Sequence, residues 1–311
     1  MPVPVIDGAT VLHTVSPTTA IERVREGFIR HFRGDWTMPS KVYLDSPPHG
    51  DFRAMPALGD GTALLKWVTS FPGNPAKQLP TVIGTILLSD AVTGELLAIL
   101  DGRSVTALRT GAAAAVATRA LARPDGGTAG LIGCGLHGRW AARCLVAAGF
   151  AEGVCSDTNE DAARSLAEEI GWRAGLPSEV LDCDSVTLVT PGHEPVIGLS
   201  DLRSGIHINA LGADGPHKLE MEVAATARCR IFCDEWLQAS HGGEIHAAVE
   251  QGLVTRAQVT ELGSVLAGES DGRRSPDEVT LFDSTGLAIQ DLAIALAVLA
   301  AAETPATTIE L

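Results

Sequence analysis

Between an apolar stretch ending in Leu131-Ile132 and a helix-like stretch carrying Trp140, Cys144 and Leu145, the chain reads Gly133-Cys134-Gly135-Leu136-His137-Gly138. Three glycines at this spacing are a weak signal alone; a strand before them and a helix after them make it specific. Gly133 permits a tight turn, Gly135 lets a pyrophosphate approach the backbone, and Gly138 lets the helix pack close to the strand. The N–H groups at the helix start then point at the phosphates. Asp157 stands 24 residues beyond Gly133, at the end of the next apolar stretch. A carboxylate there accepts hydrogen bonds from both ribose hydroxyls and repels a 2′-phosphate, and no arginine follows it directly. NAD is therefore the expected cofactor, ahead of NADP.

The turn belongs to a longer alternation. Apolar stretches at 128–132, 153–156, 185–189, 207–211 and 230–233 alternate with helix-like stretches such as 138–148 and 159–170. This βαβ pattern calls for a parallel sheet covered on both faces. Upstream the chain changes character. Ser16 and Pro17 open a helix with Ile21, Val24, Phe28 and Phe32 at helical spacing. Residues 38–80 read as extended, turn-rich chain carrying Lys41, Arg53 and Lys66. Residues 81–89 and 95–100 have a hairpin pattern, and an Ala-rich helix with Arg109 spans 104–122. Pro124-Asp125-Gly126-Gly127 breaks the chain, and a length of 311 residues suits two domains with their boundary at that break. The final helix, 286–303, is apolar on nearly every side. It must be enclosed, by the first domain or in a subunit interface.

The formal charge of −15 repels a phosphate backbone, so nucleic acid is not an expected partner. The longest apolar run, 292–302, is far short of the ~20 residues a membrane helix needs. No basic segment followed by an apolar one opens the chain, and its six cysteines form no CxxC pair. A cytoplasmic protein with reduced thiols is the expectation. His241 and His246 flank Glu244 without the HExxH spacing, so no metal is expected.

With these pieces in place the sequence resembles the ornithine cyclodeaminase/μ-crystallin family, over almost its whole length. The matching motifs are Met38-Pro39-Ser40-Lys41-Val42-Tyr43-Leu44, Phe52-Arg53-Ala54-Met55-Pro56-Ala57 and Leu65-Lys66-Trp67-Val68. They continue with Ala107-Leu108-Arg109-Thr110-Gly111, with His207-Ile208-Asn209-Ala210-Leu211-Gly212-Ala213-Asp214, and with Phe282-Asp283-Ser284-Thr285-Gly286-Leu287-Ala288-Ile289-Gln290-Asp291. The resemblance implies an α/β protein. A doubly wound Rossmann domain, 126–286, binds NAD; an α+β substrate-binding and dimerisation domain comprises 1–125 and 287–311, with the C-terminal helix returning to it. It also implies a homodimer in which hydride passes between nicotinamide and the α-carbon of a small amino or imino acid.

Matching motif positions carry roles onto this chain. Lys66 becomes the proton donor and acceptor, with Asp214 near the reacting centre. Lys41, Arg53, Lys66 and Arg109 become substrate ligands. Cofactor contacts fall on Arg109, Thr110, Gly133, Gly135, His137, Gly138, Asp157, Thr158, Thr190, Leu211, Gly212, Ala213, Lys218, Ser284, Thr285 and Gly286. Two departures bear on substrate. Cyclodeaminases tend to hold a carboxylate where Arg53 stands, so ornithine and lysine are disfavoured. μ-Crystallins lack an acid where Asp214 stands. The expectation is an alanine dehydrogenase-like enzyme. An imine reductase, a cyclodeaminase and a non-catalytic NAD-binding protein are the alternatives, in that order. A crowd of cations, together with burial, should depress the pKa of Lys66, as a general base requires.

Overall fold

The computed structural model describes residues 2–124, 126–192, 194–215, 217–301 and 307–310. They form two compact units: residues 1–109 with 287–311, and residues 110–286. The division falls inside a helix, between Arg109 and Thr110, whereas the sequence break lies after that helix. Asp125, part of that break, lies outside the described residues, as does Glu303 at the expected end of the last helix.

The first unit opens with β1 (Pro2–Ile6), α1 (Gly8–Thr14) and α2 (Pro17–Arg33). The Ser16 hydroxyl accepts from the Thr19 amide, Pro17 occupies the first turn and Gly34 ends α2 in the left-handed region, as local chemistry dictates. Residues 38–80, read as extended, turn-rich chain without strand bounds, resolve into three strands: β2 (Val42–Ser46), β3 (Gly50–Gly59) and β4 (Thr62–Ser70). Their alternation was masked because Lys66 and Arg53 occupy inward positions where an apolar residue signals a strand. The hairpin follows as β5 (Val82–Asp90) and β6 (Leu96–Asp101), and then α3 (Gly102–Leu121).

The second unit continues α3 from Thr110 and alternates strands with helices. Its strands are β7 (Ala129–Ile132), β8 (Gly153–Ser156), β9 (Arg173–Ala174), β10 (Ser185–Leu188), β11 (His207–Ala210), β12 (Arg230–Cys233), β13 (Val259–Glu261) and β14 (Thr280–Asp283). Between them run α4 (Leu136–Ala147), α5 (Glu160–Ile170) and the short α6 (Pro177–Leu181), α7 (Val223–Thr226), α8 (Trp236–Gly242), α9 (His246–Glu250) and α10 (Leu262–Leu266). All strand pairs are parallel, in the order β13-β12-β14-β11-β10-β7-β8-β9. Neighbouring residues of β7 enter different cores: Leu131 packs with Ala141, Leu145 and Leu166, and Ile132 with Val186, Leu188 and Ile208. The sheet is therefore doubly wound, buried on both faces.

The chain then returns to the first unit as α11 (Ala288–Ala301) and β15 (Thr308–Glu310). The order of the first sheet is β15-β1-β6-β5-β4-β3-β2, antiparallel except for the β1–β6 pair. Helices α2 and α11 pack together, and α11 lies on β3 and β4. Gly27 on α2 faces α11, where a Cβ would sit at ordinary contact distance, 3.4 Å, from the Ala293 methyl and the Ile289 carbonyl. No helix among the described residues is long and apolar enough to cross a membrane.

A buried polar ladder crosses the second sheet. Asn209 Nδ2 donates to the hydroxyls of Thr118 (2.8 Å) and Thr187 (3.0 Å), and its Oδ1 lies 3.0 Å from His207 Nε2. His207 Nδ1 lies 2.9 Å from the Thr280 hydroxyl, which accepts from Arg273. Burial holds His207 down at about 3, so the ring is neutral; Nε2 carries the proton that Asn209 accepts. Asn209→Ala strands three partners in a dry interior. It should cost about 2–3 kcal/mol in a urea melt, and an unchanged midpoint would show that the ladder carries no stability.

Candidate active site

In the second unit the cofactor residues expected from sequence, apart from Thr110 within α3, gather at the carboxyl ends of the parallel strands. Gly133 follows β7, Asp157 and Thr158 follow β8, Thr190 follows β10, Leu211-Gly212-Ala213 follow β11 and Ser284-Thr285-Gly286 follow β14. Strand order reverses beside β7, between β8 and β10, and a crevice opens at such a switch point in sheets of this kind. Gly133 has φ 101°, a left-handed conformation, and a Cβ on Gly138 would run into the Gly133 carbonyl oxygen. A Cβ on Gly135 would meet nothing within 4 Å, and Gly135 caps α4 without a side-chain hydrogen bond. Those amides and that open space fit a pyrophosphate. Asp157 Oδ2 accepts from the Cys134 amide at 2.6 Å and Oδ1 from the Asn159 amide at 2.8 Å, which fixes the carboxylate beside the turn.

Buried carboxylates brace these loops. Glu220 accepts from the Thr190 amide (2.7 Å) and hydroxyl (2.8 Å) and from the Gly212 amide (2.7 Å), tying the loop after β10 to the loop after β11. Asp234 accepts from the Ser284 hydroxyl (3.2 Å) and the Gly286 amide (2.8 Å). Glu244 receives the amides of Glu220 and Met221; burial, with the neighbouring Glu220 carboxylate, pushes it up to about 8. Asp214 is paired with Lys218 at 2.6 Å, so Lys218, expected on the cofactor, is held by the expected catalytic acid.

In the first unit, β3 and β4 alternate strictly. Arg53, Met55 and Ala57, with Leu64, Lys66 and Val68, face inward, while Leu58, Leu65 and Trp67 face outward. Lys66 is therefore buried among apolar side chains, 1% exposed. Its ammonium lies 3.0 Å from both carboxylate oxygens of Asp291 on α11. Arg109 Nε lies 3.4 Å from Asp291 Oδ1, and an Arg109 Nη1 proton goes to Gln290 Oε1 at 3.2 Å. Desolvation is the chief cause that pulls Lys66 down from 10.5 to about 8; Asp291 opposes it, and Arg109 and Lys41 reinforce it. Burial thus outranks the expected crowd of cations. Arg53 is also nearly buried, and Asp51 receives its Nε at 2.6 Å and Nη2 at 3.1 Å.

The sequence pattern of the ornithine cyclodeaminase/mu-crystallin family matches residues 7–304. The chain belongs to that family. It is 42% identical over 288 residues to the alanine dehydrogenase of Archaeoglobus fulgidus, covering 90% of this chain and 89% of that one. It is 34% identical over 249 residues to the iminosuccinate reductase of Paracoccus denitrificans, covering 77% and 78%. An archaeal alanine dehydrogenase dimer, solved with bound NAD, matches with a TM-score of 0.95 at 38% identity, over 100% of this chain and 99% of that one.

Within this member of the family, sequence reasoning missed the acids. Asp291, Asp51, Glu220 and Asp234 each hold a residue or loop that was expected in the site. Asp291 had a visible signal, as the one charged residue in Ala288–Ala301. The others lie among ordinary turn acids, and only the fold brings them to their partners.

Proposed function

We propose that the protein is an NAD-dependent oxidoreductase that interconverts a small L-amino acid and its 2-oxo acid, with L-alanine and pyruvate as the pair. The observation that carries this reading is Lys66. It is a lysine enclosed in an apolar sheet, gripped by one carboxylate beside a second cation, with an ammonium that gives up its proton near pH 8. A group poised so close to neutrality can take a proton in one direction and return it in the other. The alanine dehydrogenase relatives support the substrate class.

The glycine turn and α4 start would hold the pyrophosphate and Asp157 the adenosine ribose. When bound, NAD accepts or supplies the hydride. The chain's own residues do the rest. Arg53 and Lys41 anchor the substrate carboxylate, Arg53 in a pose set by Asp51. Neutral Lys66 removes a proton from the substrate nitrogen as the α-carbon is oxidised to an imine. Water then adds to that carbon, and Lys66 carries its protons to the nitrogen until ammonia leaves. In the balance, the amino acid, NAD⁺ and water give the 2-oxo acid, ammonium, NADH and a proton.

A second reading is reduction of a dicarboxylic imine. The four cations Lys41, Arg53, Lys66 and Arg109 on the first unit and the iminosuccinate reductase relative favour it. NADH oxidation with ammonium plus pyruvate, oxaloacetate, glyoxylate or a preformed cyclic imine separates the two. Pyruvate should give the highest kcat/KM. Oxaloacetate in first place would transfer the assignment to the dicarboxylic imine, and silence across the panel would end both readings.

The outward face of the first sheet supports a dimer. Val42, Leu44, Leu58, Leu65, Trp67 and Ile83 are all exposed there, an apolar surface of the kind that subunits cover. The related alanine dehydrogenase is a dimer. Sedimentation that returned a monomer would refute this assignment.

A further inference from the structure

We infer that Asp291 is a positioning residue for proton transfer: its carboxylate holds the Lys66 ammonium in one pose on the inner sheet face, and its charge governs how readily Lys66 releases a proton. The inference deepens, and rests on, the assignment of proton transfer to Lys66.

Stability does not explain an acid at this position. Helix α11 reads Ala-Ile-Gln-Asp followed by ten apolar residues, and Asp291 is fully buried. Removing two charges from water costs several kcal/mol per ion, and a well-packed hydrophobic pair in their place is often as stable or more so. A leucine at 291 facing apolar residues at 66 and 109 would close the same core. The geometry is that of a holder. Both oxygens lie 3.0 Å from Nζ, so the ammonium sits centrally on the carboxylate. Gln290 Oε1, on the preceding residue's side chain, accepts from Arg109 and from the Leu287 amide, so this turn of α11 is itself fixed.

Arg109 keeps the grip incomplete. Its Nε competes for Oδ1 at 3.4 Å, so one carboxylate serves two cations and a net positive charge stays in the enclosure. The charged groups acting on Lys66 are Asp291 from α11, Arg109 from α3 and Lys41 from the segment before β2. Its cross-strand neighbours, Met55 on β3 and Ile86 on β5, carry no charge. Removing the one negative charge among them makes the ammonium less favourable, so Lys66 deprotonates at lower pH.

The test is Asp291→Asn in the full chain, with kcat/KM measured against pH in both directions. The limb that follows Lys66 should move to lower pH by about 1–3 units, with NADH affinity unchanged. Asp291→Glu keeps the charge and displaces it by one methylene; it should leave the limb in place and lower kcat about 10-fold. Carbon-13 NMR of the lysine ε-carbons reads the same quantity without turnover, since the chain has four lysines, Lys41, Lys66, Lys77 and Lys218. An Asn variant that loses activity equally at every pH, with the Lys66 resonance titrating as in the parent, would reduce Asp291 to a structural tie and overturn the inference. A Glu variant with parental kcat would overturn the positioning half. Full turnover by Lys66→Met would sink the proton-transfer assignment instead. The NMR shift in Asp291→Asn would still report the grip, so the two failures are distinguishable.

Discussion

Lys66→Met should lower kcat about 10³-fold in both reaction directions while NADH binds as before. General acid–base catalysis contributes roughly 10²–10⁴-fold, and 10³ corresponds to about 4 kcal/mol of barrier. Methionine is the informative substitution because it keeps the side-chain volume within a closed apolar face that includes Leu64, Val68 and Ile86. Asp291 also retains Arg109 as a counter-ion, so the variant leaves no unpaired buried charge. Steady-state rates with pyruvate and ammonium, or with L-alanine, read the loss; NADH fluorescence shows whether the nucleotide half is intact. Turnover within tenfold of the parent would remove Lys66 from the chemistry.

Gly138→Ala should impair folding and nucleotide binding together, and Gly135→Ala should impair binding alone. The two glycines lie three residues apart in one turn, yet their surroundings differ. A methyl on Gly138 collides with the Gly133 carbonyl, which is backbone and cannot rotate aside, so α4 must back away from β7. Overpacking of this kind costs about 1–3 kcal/mol, a drop of roughly 2–12 °C in melting temperature for a chain of this size. NADH affinity should fall by more than about 10-fold, because displaced amides no longer converge on the phosphates. The Gly135 methyl points into open space, so that variant should melt like the parent and lose affinity only where the phosphate must approach. Equal melting and equal affinity for both variants would show that the turn cradles nothing.

Much of the nucleotide half was legible because its signals are short-range. The strand–glycine–helix order around Gly133, the acid at Asp157 and the strands ending near Val189, Leu211 and Cys233 all lie within a few residues of where the sequence places them. The first sheet was harder. Lys66 and Arg53 point inward and broke the alternation that identifies a strand, so β2, β3 and β4 read only as extended, turn-rich chain without strand bounds. The chemistry that obscured the fold there is the chemistry of the candidate site.

Local sequence alone therefore determined the glycine cradle, the capped helix after Ser16 and the demand that the final apolar helix be enclosed. Each depends on spacings of a few residues, which backbone geometry and hydrophobic periodicity translate directly. Tertiary structure decided which acid meets which cation. Lys66 and Asp291 are 225 residues apart, and no local pattern pairs them. That pairing exists because α11 packs across β3 and β4 and buries both charges, and desolvation then pulls the Lys66 ammonium down to about 8.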